Sequence, residues 1–114
     1  MTALLESHFD QKNPAVRSLF ERLLIESRKF GVVKVEPKKT SIHLVSRFAF
    51  AGVYTRRNYI NLELPLARKV TSPRVEKVER ASANRYHHRF KLESVKDLDK
   101  ELLGWLREAY DLKR

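Results

Sequence analysis

The spacing of apolar residues changes twice along this chain, and this change limits the folds that the chain can form. Apolar side chains recur every three or four residues near the start and near the end, but alternate with polar ones in between. The first spacing predicts an amphipathic helix, and the second predicts a strand with one buried face. We therefore predict two helices that bracket a run of strands.

The first helical segment is bounded by residues that favour the ends of helices. Asn13 is a preferred N-cap, and Pro14 suits the first helical position. An apolar stripe begins at Val16 and is extended by Phe30. Gly31 then provides a stop, because glycine accepts the backbone angles found just after a helix. The first helix should therefore begin at Asn13-Pro14 and end before Gly31.

The last helical segment should begin at Ser94. Ser94 and Asp97 have the spacing of a capping box, in which each residue satisfies a free backbone N–H group of the other. The buried stripe consists of Val95, Leu98, Leu102, Trp105, Leu106 and Ala109. Gly104 lowers the helix propensity by about 1 kcal/mol relative to alanine. A close contact with a strand or with the first helix would account for a glycine there.

The strands lie between the two helices. Alternation is clearest at 59–64 and 85–92, and apolar segments at 32–36, 42–44 and 48–54 predict further strands. Short connections between consecutive strands imply antiparallel pairing. We expect an α+β fold, a two-layer sandwich with a mainly antiparallel sheet of four to five strands. The N-terminal and C-terminal helices should pack on one face of this sheet.

The length of 114 residues fits one domain. We assign residues 1–12 to a flexible N-terminal segment and residues 13–114 to a single α+β domain. The chain has no cysteine, which excludes disulfides and thiolate chemistry and is compatible with a reducing compartment. No stretch has the apolar length of a signal peptide or a membrane span. We therefore expect a cytoplasmic protein that does not contact membranes.

The net charge of +10 is concentrated in the middle of the chain. Residues 31–94 carry fourteen Lys and Arg against five Asp and Glu, whereas the two ends are almost neutral. Such an excess attracts polyanions to one part of a surface. A solvated surface that keeps the protein soluble would explain the same charge equally well.

Three sequence segments supply candidate binding residues. The turn at 37–41 offers lysines and hydroxyl groups that can hold a phosphate. The turn at 56–58 and the outward residues of 85–91 offer cations, and Tyr59 is an outward aromatic ring for stacking on bases. The candidate residues for ligand or polyanion binding are Lys38, Lys39, Thr40, His43, Arg56, Arg57, Tyr59, Asn61, Arg85, His87, Arg89 and Lys91. Exposed basic strands that resist edge pairing would show the same pattern.

Neither a catalytic motif nor a metal-ligand spacing is present in the sequence. His87 and His88 are adjacent in a strand and should point to opposite faces, with His88 in or near the core. His43 can share a face with His87, but no carboxylate is placed beside them by the sequence. Glu36-Pro37-Lys38 has the Glu-x-Lys form of some nucleases, but lacks the preceding Pro-Asp. We therefore expect no metal and no cofactor, and a protein that is not an enzyme.

Several separated segments resemble one family of bacterial domains. They are Glu36-Pro37-Lys38-Lys39-Thr40-Ser41-Ile42-His43-Leu44, Phe50-Ala51-Gly52-Val53, Tyr59-Ile60-Asn61-Leu62, Asp97-Leu98-Asp99 and the run from Glu101 to Tyr110. Together they are similar to the family called domain of unknown function 5655, over nearly the whole chain from about Pro14 onward. Some related domains follow nuclease-like or restriction-type modules, so the resemblance implies work on nucleic acid.

Charge and resemblance together favour a binding module for nucleic acid or another polyanion, contacted through an exposed basic face of the sheet. A small-molecule or phosphometabolite-binding domain is one alternative, with a pocket between Thr40, His43, Tyr59, Asn61 and the basic residues of 85–91. A protein-interaction domain that presents a sheet face or edge to a partner is another. The oligomeric state is not defined by the sequence.

Overall fold

The structure, a computed structural model, describes residues 3–113 and contains a single six-stranded sheet in that range. Its elements in chain order are α1 (Ala3–Ser7), α2 (Pro14–Arg28), β1 (Lys34–Pro37), β2 (Ile42–Val45), β3 (Ala49–Thr55), β4 (Ile60–Leu66), β5 (Val75–Ser82), β6 (Arg85–Leu92), a 3₁₀ turn (Val95–Asp97) and α3 (Lys100–Lys113). The strand order is β1-β2-β3-β4-β6-β5, and every neighbouring pair is antiparallel. The predicted α+β class and antiparallel sheet are therefore confirmed.

The prediction of four to five strands is corrected to six, because β5 was not recognised. β5 lies at the edge of the sheet and pairs with β6 alone. Val75 and Val78 are half-buried, and the other residues of the strand are exposed. An edge strand that buries so little carries no clear alternation, so the sequence pattern does not reveal it.

The two terminal helices pack on the same face of the sheet, as predicted. In α3, Trp105 stacks on Phe90 of β6 with ring centroids 5.2 Å apart, and Tyr110 meets the edge of Phe50 in β3 at 5.1 Å. Leu19 and Leu23 of α2 belong to the same hydrophobic core. Along β4, the inward residues Ile60, Leu62, Leu64 and Leu66 are fully buried. The opposite face of the sheet is left uncovered by these helices.

Helix α2 starts where Asn13 and Pro14 predict it. The Asn13 side chain accepts a hydrogen bond from the Ala15 N–H at 2.9 Å, and Pro14 is the first helical residue. At the other end, Gly31 has a φ of 153°, a backbone conformation that favours glycine. The phenol of Tyr110 lies where a side chain at residue 31 would be, so a glycine is also required by packing.

The C-terminal helix begins later than predicted. The capping box of Ser94 and Asp97 is present, but it caps the short 3₁₀ turn Val95–Asp97. The backbone then leaves the helical region at Leu98, with φ of −84° and ψ of 58°. Asp99 provides a second start, because its carboxylate accepts a hydrogen bond from the Leu102 N–H at 3.0 Å. Two competing caps in one segment explain why a single start at Ser94 was wrong.

The predicted flexible segment, residues 1–12, contains α1 and contacts the domain. Its first two residues lie outside the described range, and flexibility of the segment stays a prediction. Leu5 is buried in the core. His8 Nε2 is 2.7 Å from the Lys38 carbonyl oxygen, and the Thr55 hydroxyl donates to the His8 carbonyl at 2.6 Å. Among residues 3–113, no helix combines the length and the apolar character that a membrane span requires.

Substitution of the two helix-associated glycines should have opposite effects on stability. A Cβ at Gly104 would meet no atom within 4 Å, so no close contact explains this residue. We expect Gly104→Ala to raise the free energy of unfolding by about 0.5–1 kcal/mol, because alanine favours the helix.

Gly31→Ala should lower the free energy of unfolding by about 1–3 kcal/mol, because the backbone conformation of residue 31 disfavours a side chain. Thermal unfolding of both variants measures these changes, and a destabilised Gly104→Ala would contradict them.

His88 is the buried polar residue at the centre of β6, as the sequence predicted. It is fully buried, and its Nδ1 donates to the Tyr86 carbonyl at 3.0 Å while its Nε2 accepts from the Val70 N–H at 2.9 Å. This pair of bonds requires the neutral ring, because a protonated ring has no acceptor for Val70. Burial lowers the pKa of His88 below its ordinary value.

Acidification should therefore destabilise the folded chain through His88. Because its pKa is lower in the folded state than in the unfolded state, the unfolded state takes up the proton first. Stability should fall as the pH drops through about 6.5. In His88→Gln, the melting temperature should change less between about pH 8 and about pH 5.5 than in the wild type. A His88→Gln variant whose melting temperature keeps the wild-type pH dependence would refute the role of His88.

Candidate functional site

The register of the sheet brings several of the predicted basic residues to one end. Pro37 pairs with Ile42, Thr55 with Ile60, and Ile60 with Leu92. The β1–β2 turn (38–41), the β3–β4 turn (56–59) and the end of β6 therefore lie at the same end of the sheet. We call this the basic end, and its cations are Lys12, Lys38, Lys39, Arg56, Arg57 and Lys91.

Lys12 reaches the basic end through the loop between α1 and α2. Its ammonium donates to the Thr55 hydroxyl at 2.7 Å and to the His8 carbonyl at 2.6 Å. The Asn13 N–H donates to the Arg57 carbonyl at 2.9 Å and fixes the loop against the β3–β4 turn. Lys12 was not among the predicted site residues, because no pattern links the N-terminal segment to a hairpin more than forty residues away.

The basic end is electropositive. Burial lowers the pKa of the Lys12 ammonium below its usual value, and the nearby charge of Arg56 lowers that pKa further, against a smaller opposing effect of Asp10. Lys38 has Glu36 at 3.6 Å and Lys91 has Glu93 at 4.0 Å. Lys39, Arg56 and Arg57 are exposed, and none of the three makes an ion pair within residues 3–113.

Three residues predicted as accessible contacts, Tyr59, Asn61 and Lys91, are in contact with one another or buried within the protein. The Lys91 ammonium lies 4.5 Å from the centre of the Tyr59 ring, which is half-buried. Asn61 is buried, and in register it lies between Tyr54 and Lys91 on the uncovered face. Stacking of a base on Tyr59 would therefore have to compete with Lys91. Arg85 is remote from this group, because it lies at the opposite end of β6.

The uncovered face of the sheet contains a pocket of about 250 Å³, which we call the open-face pocket. It is lined by His43, Ala49, Ala51, Gly52, Tyr54, Glu63, Pro65, His87 and Lys113. The floor of the pocket is formed at Gly52, which lies in register between His43 and Glu63. Because glycine has no side chain, the space above its backbone stays open. A Cβ there would be 3.5 Å from a Tyr54 ring carbon and 3.8 Å from the Glu63 Cβ.

Polar groups converge on one side of the open-face pocket. His87 Nδ1 lies 3.3 Å from one Glu63 oxygen, and an Arg89 terminal nitrogen lies 3.8 Å from the other. The Glu63 carboxylate therefore lies between the side chains of His87 and Arg89. Arg89 Nε is buried and has no hydrogen-bond partner among the described residues, so a donor beside Glu63 is unsatisfied.

His43, Glu63 and His87 line one pocket but do not form a metal site. Within residues 3–113, no group of three His, Asp or Glu side chains has the arrangement that a metal ion needs. His43 lies in β2 and Glu63 lies in β4, with β3 between them. Neighbouring strands are about 4.8 Å apart, so the two backbones are separated by about twice that distance. Gly52, Tyr54 and Glu63 were not among the predicted site residues. A glycine inside a strand was the one signal that could have indicated close approach by a ligand.

The pocket predicted between Thr40, His43, Tyr59 and Asn61 is divided between two places. His43 and His87 line the open-face pocket, whereas Thr40 lies in the exposed β1–β2 turn. Tyr59 and Asn61 belong with Lys91 near the basic end. The twelve predicted residues therefore do not form a single site.

Comparison with known protein families identifies the family of this chain. The family model described as Domain of unknown function (DUF5655) matches residues 5–113, which is nearly the whole chain. No curated protein and no solved structure matches the sequence or the fold.

Proposed function

The chain belongs to the family Domain of unknown function (DUF5655), and we propose that this member binds nucleic acid or another polyanion through its basic end. The supporting observation is the convergence of three segments distant in sequence, with three exposed cations that make no ion pair in the described chain. Cations that are not neutralised locally are free to contact phosphates. A cytoplasmic location, which we also predict, would place such a domain among nucleic acids.

The dimensions of the basic end suit a phosphate backbone. The β1–β2 and β3–β4 turns are neighbouring hairpins in the sheet, and their centres lie two strand spacings, or about 10 Å, apart. One strand of a duplex presents about three phosphates over that length. The Thr40 hydroxyl is exposed beside Lys39 and offers a further donor to a phosphate oxygen.

The basic end supports affinity more than sequence recognition. Its exposed groups are mainly the cationic side chains of Lys and Arg, and the aromatic ring of Tyr59 is already contacted by Lys91. Cations that contact phosphates carry no base information. We therefore propose binding that depends strongly on salt and weakly on sequence.

Charge reversal in the β3–β4 turn tests this proposal. Arg56→Glu/Arg57→Glu should weaken binding to a labelled DNA duplex and a labelled single strand by about tenfold or more, because two phosphate contacts are lost. The slope of log affinity against log salt should become shallower by about 2. Fluorescence anisotropy over a salt series measures both quantities.

Two controls locate the surface. Lys69→Glu/Arg80→Glu makes the same change in net charge with exposed residues at the opposite end of the sheet, and should have a much smaller effect. Arg85→Glu should also have little effect if the basic end, rather than the whole row along β6, contacts the ligand. Equal losses in both double variants, or no salt-dependent binding by the wild type, would refute the proposal.

A second candidate function is binding of a small phosphorylated or otherwise anionic metabolite in the open-face pocket. The observation that favours it is the Gly52 floor beside His87, whose Nδ1 lies 3.3 Å from a Glu63 carboxylate oxygen. His43, His87 and Lys113 offer donors to an anionic group, and Glu63 can accept from an amine or hydroxyl.

A substitution at Gly52 separates the two candidates. Gly52→Val points its side chain to the uncovered face and should fill the open-face pocket without entering the core. A ligand of this pocket should raise the wild-type melting temperature, in proportion to RT ln(1 + [L]/Kd), and should not raise that of Gly52→Val. A thermal-shift screen with nucleotides and sugar phosphates provides the measurement. Equal shifts in both proteins would place the ligand elsewhere.

A further inference from the structure

An apolar groove lies along the free edge of β1, on the side of the molecule formed by α1 and α2. Its volume is about 750 Å³, and it is lined by Leu5, Phe20, Glu21, Leu24, Ile25, Arg28, Val35 and Pro37. We call it the β1 groove. Leu4, Ile25 and Val32 are three of the five strongly exposed large apolar residues in the described chain, at 44%, 56% and 72%. All three belong to α1, α2 or the loop before β1, and Ile25 lines the groove itself.

The free edge of β1 has hydrogen-bonding groups available at one residue. The Lys38 N–H donates to the Ser41 carbonyl at 2.7 Å, which makes this pair hydrogen-bonded in the β1–β2 hairpin. Because such pairs alternate along an antiparallel ladder, the backbone groups of Glu36 and Lys34 point towards β2. The N–H and C=O of Val35 therefore point outward, towards the β1 groove and solvent.

The positions on either side of Val35 are closed. Pro37 also points its backbone outward, but proline has no N–H to donate. The Val33 carbonyl accepts a hydrogen bond from Arg28 at 3.3 Å. The capacity of this edge to pair with another strand is therefore centred on Val35.

We propose that a second copy of this chain covers the β1 groove, related to the first by a two-fold axis that passes beside Val35. Antiparallel pairing of the two β1 strands about this axis lets each Val35 N–H donate to the Val35 carbonyl of the other copy. The same register places Lys34 opposite Glu36 of the second copy, on the uncovered face of the sheet. Each β1 strand therefore contributes one cation and one anion, and each of them faces the opposite charge on the other copy.

The exposed side of α2 has the same self-complementary pattern. Glu21 and Arg28 both line the groove and are seven residues, or about 10.5 Å, apart along the helix. Leu24 and Ile25 lie midway between them. Two α2 helices that run antiparallel across the axis would place Glu21 beside Arg28 of the second copy twice, with the apolar pair at the centre. A surface whose charges match their own two-fold image is the signature of an isologous interface.

The dimer requires no contact at the basic end and does not rest on the proposed function. Asn13, the N-cap of α2, lies at the basic end, and Arg28 is the last residue of the helix, so antiparallel α2 helices would place the two basic ends on opposite sides of the dimer.

Sedimentation or light scattering over a concentration series tests this inference. The wild type should approach twice the 13.5 kDa of one chain at high micromolar concentration. Ile25→Lys should raise the dimer dissociation constant by about tenfold or more, because it places a charge at the apolar centre. Val95→Lys changes a similarly exposed apolar residue, 49% exposed and far from the groove, and should leave the constant unchanged.

A charge exchange tests the geometry itself. Glu21→Arg and Arg28→Glu should each weaken the dimer about fivefold, because each places like charges together at both ends. The double variant Glu21→Arg/Arg28→Glu should restore the wild-type constant, which happens only if the two helices are antiparallel. Circular dichroism should show that all variants fold.

Three results would overturn the inference. The first is a wild type that stays monomeric at high micromolar concentration, including one that instead binds an extended apolar peptide in the groove. The second is a dimer that Ile25→Lys does not weaken. The third is a double charge variant that remains as weak as its parents.

Discussion

The alternation of side chains along β4 is the constraint on which the rest of the structure depends. Ile60, Leu62 and Leu64 are fully buried on one side of this strand, while Glu63 points to the other. Because the side-chain period of a strand is two, a shift of one residue would expose the leucines and bury the carboxylate. This penalty fixes the register of β4 against β3 and β6. The same register determines which polar residues meet on the uncovered face.

Polar contacts then attach the N-terminal segment to the sheet and create the basic end. The Thr55 hydroxyl lies between the His8 carbonyl, to which it donates, and the Lys12 ammonium, from which it accepts. Asn13 both caps α2 and binds the Arg57 carbonyl. These contacts bring Lys12 close enough to Arg56 for like charges to repel, which the fold tolerates at its surface. This repulsion adds to the burial that lowers the pKa of Lys12.

Prediction from the sequence succeeded where one strong local signal acted alone. The Asn13-Pro14 cap defined α2, and the alternation in β4 and β6 identified their inward faces, including that of His88. Prediction failed where burial was weak or where signals competed. β5 buries too little to show a pattern, and the caps at Ser94 and Asp99 are close enough to be confused. Of the candidate site, the sequence identified most of the cations and histidines, but not how they are grouped.

The sequence by itself determined the α+β class, the family, the N-cap of α2 and the two faces of the central strands, because these are carried by residues that are neighbours along the chain. The tertiary structure alone decided that the turns at 38–41 and 56–59 share one end with Lys12, and that Gly52 opens a pocket between His43 and Glu63. Those juxtapositions arise from strand order and register. Both are set by burial of the whole core, and a local pattern of residues carries no information about how distant segments pack together.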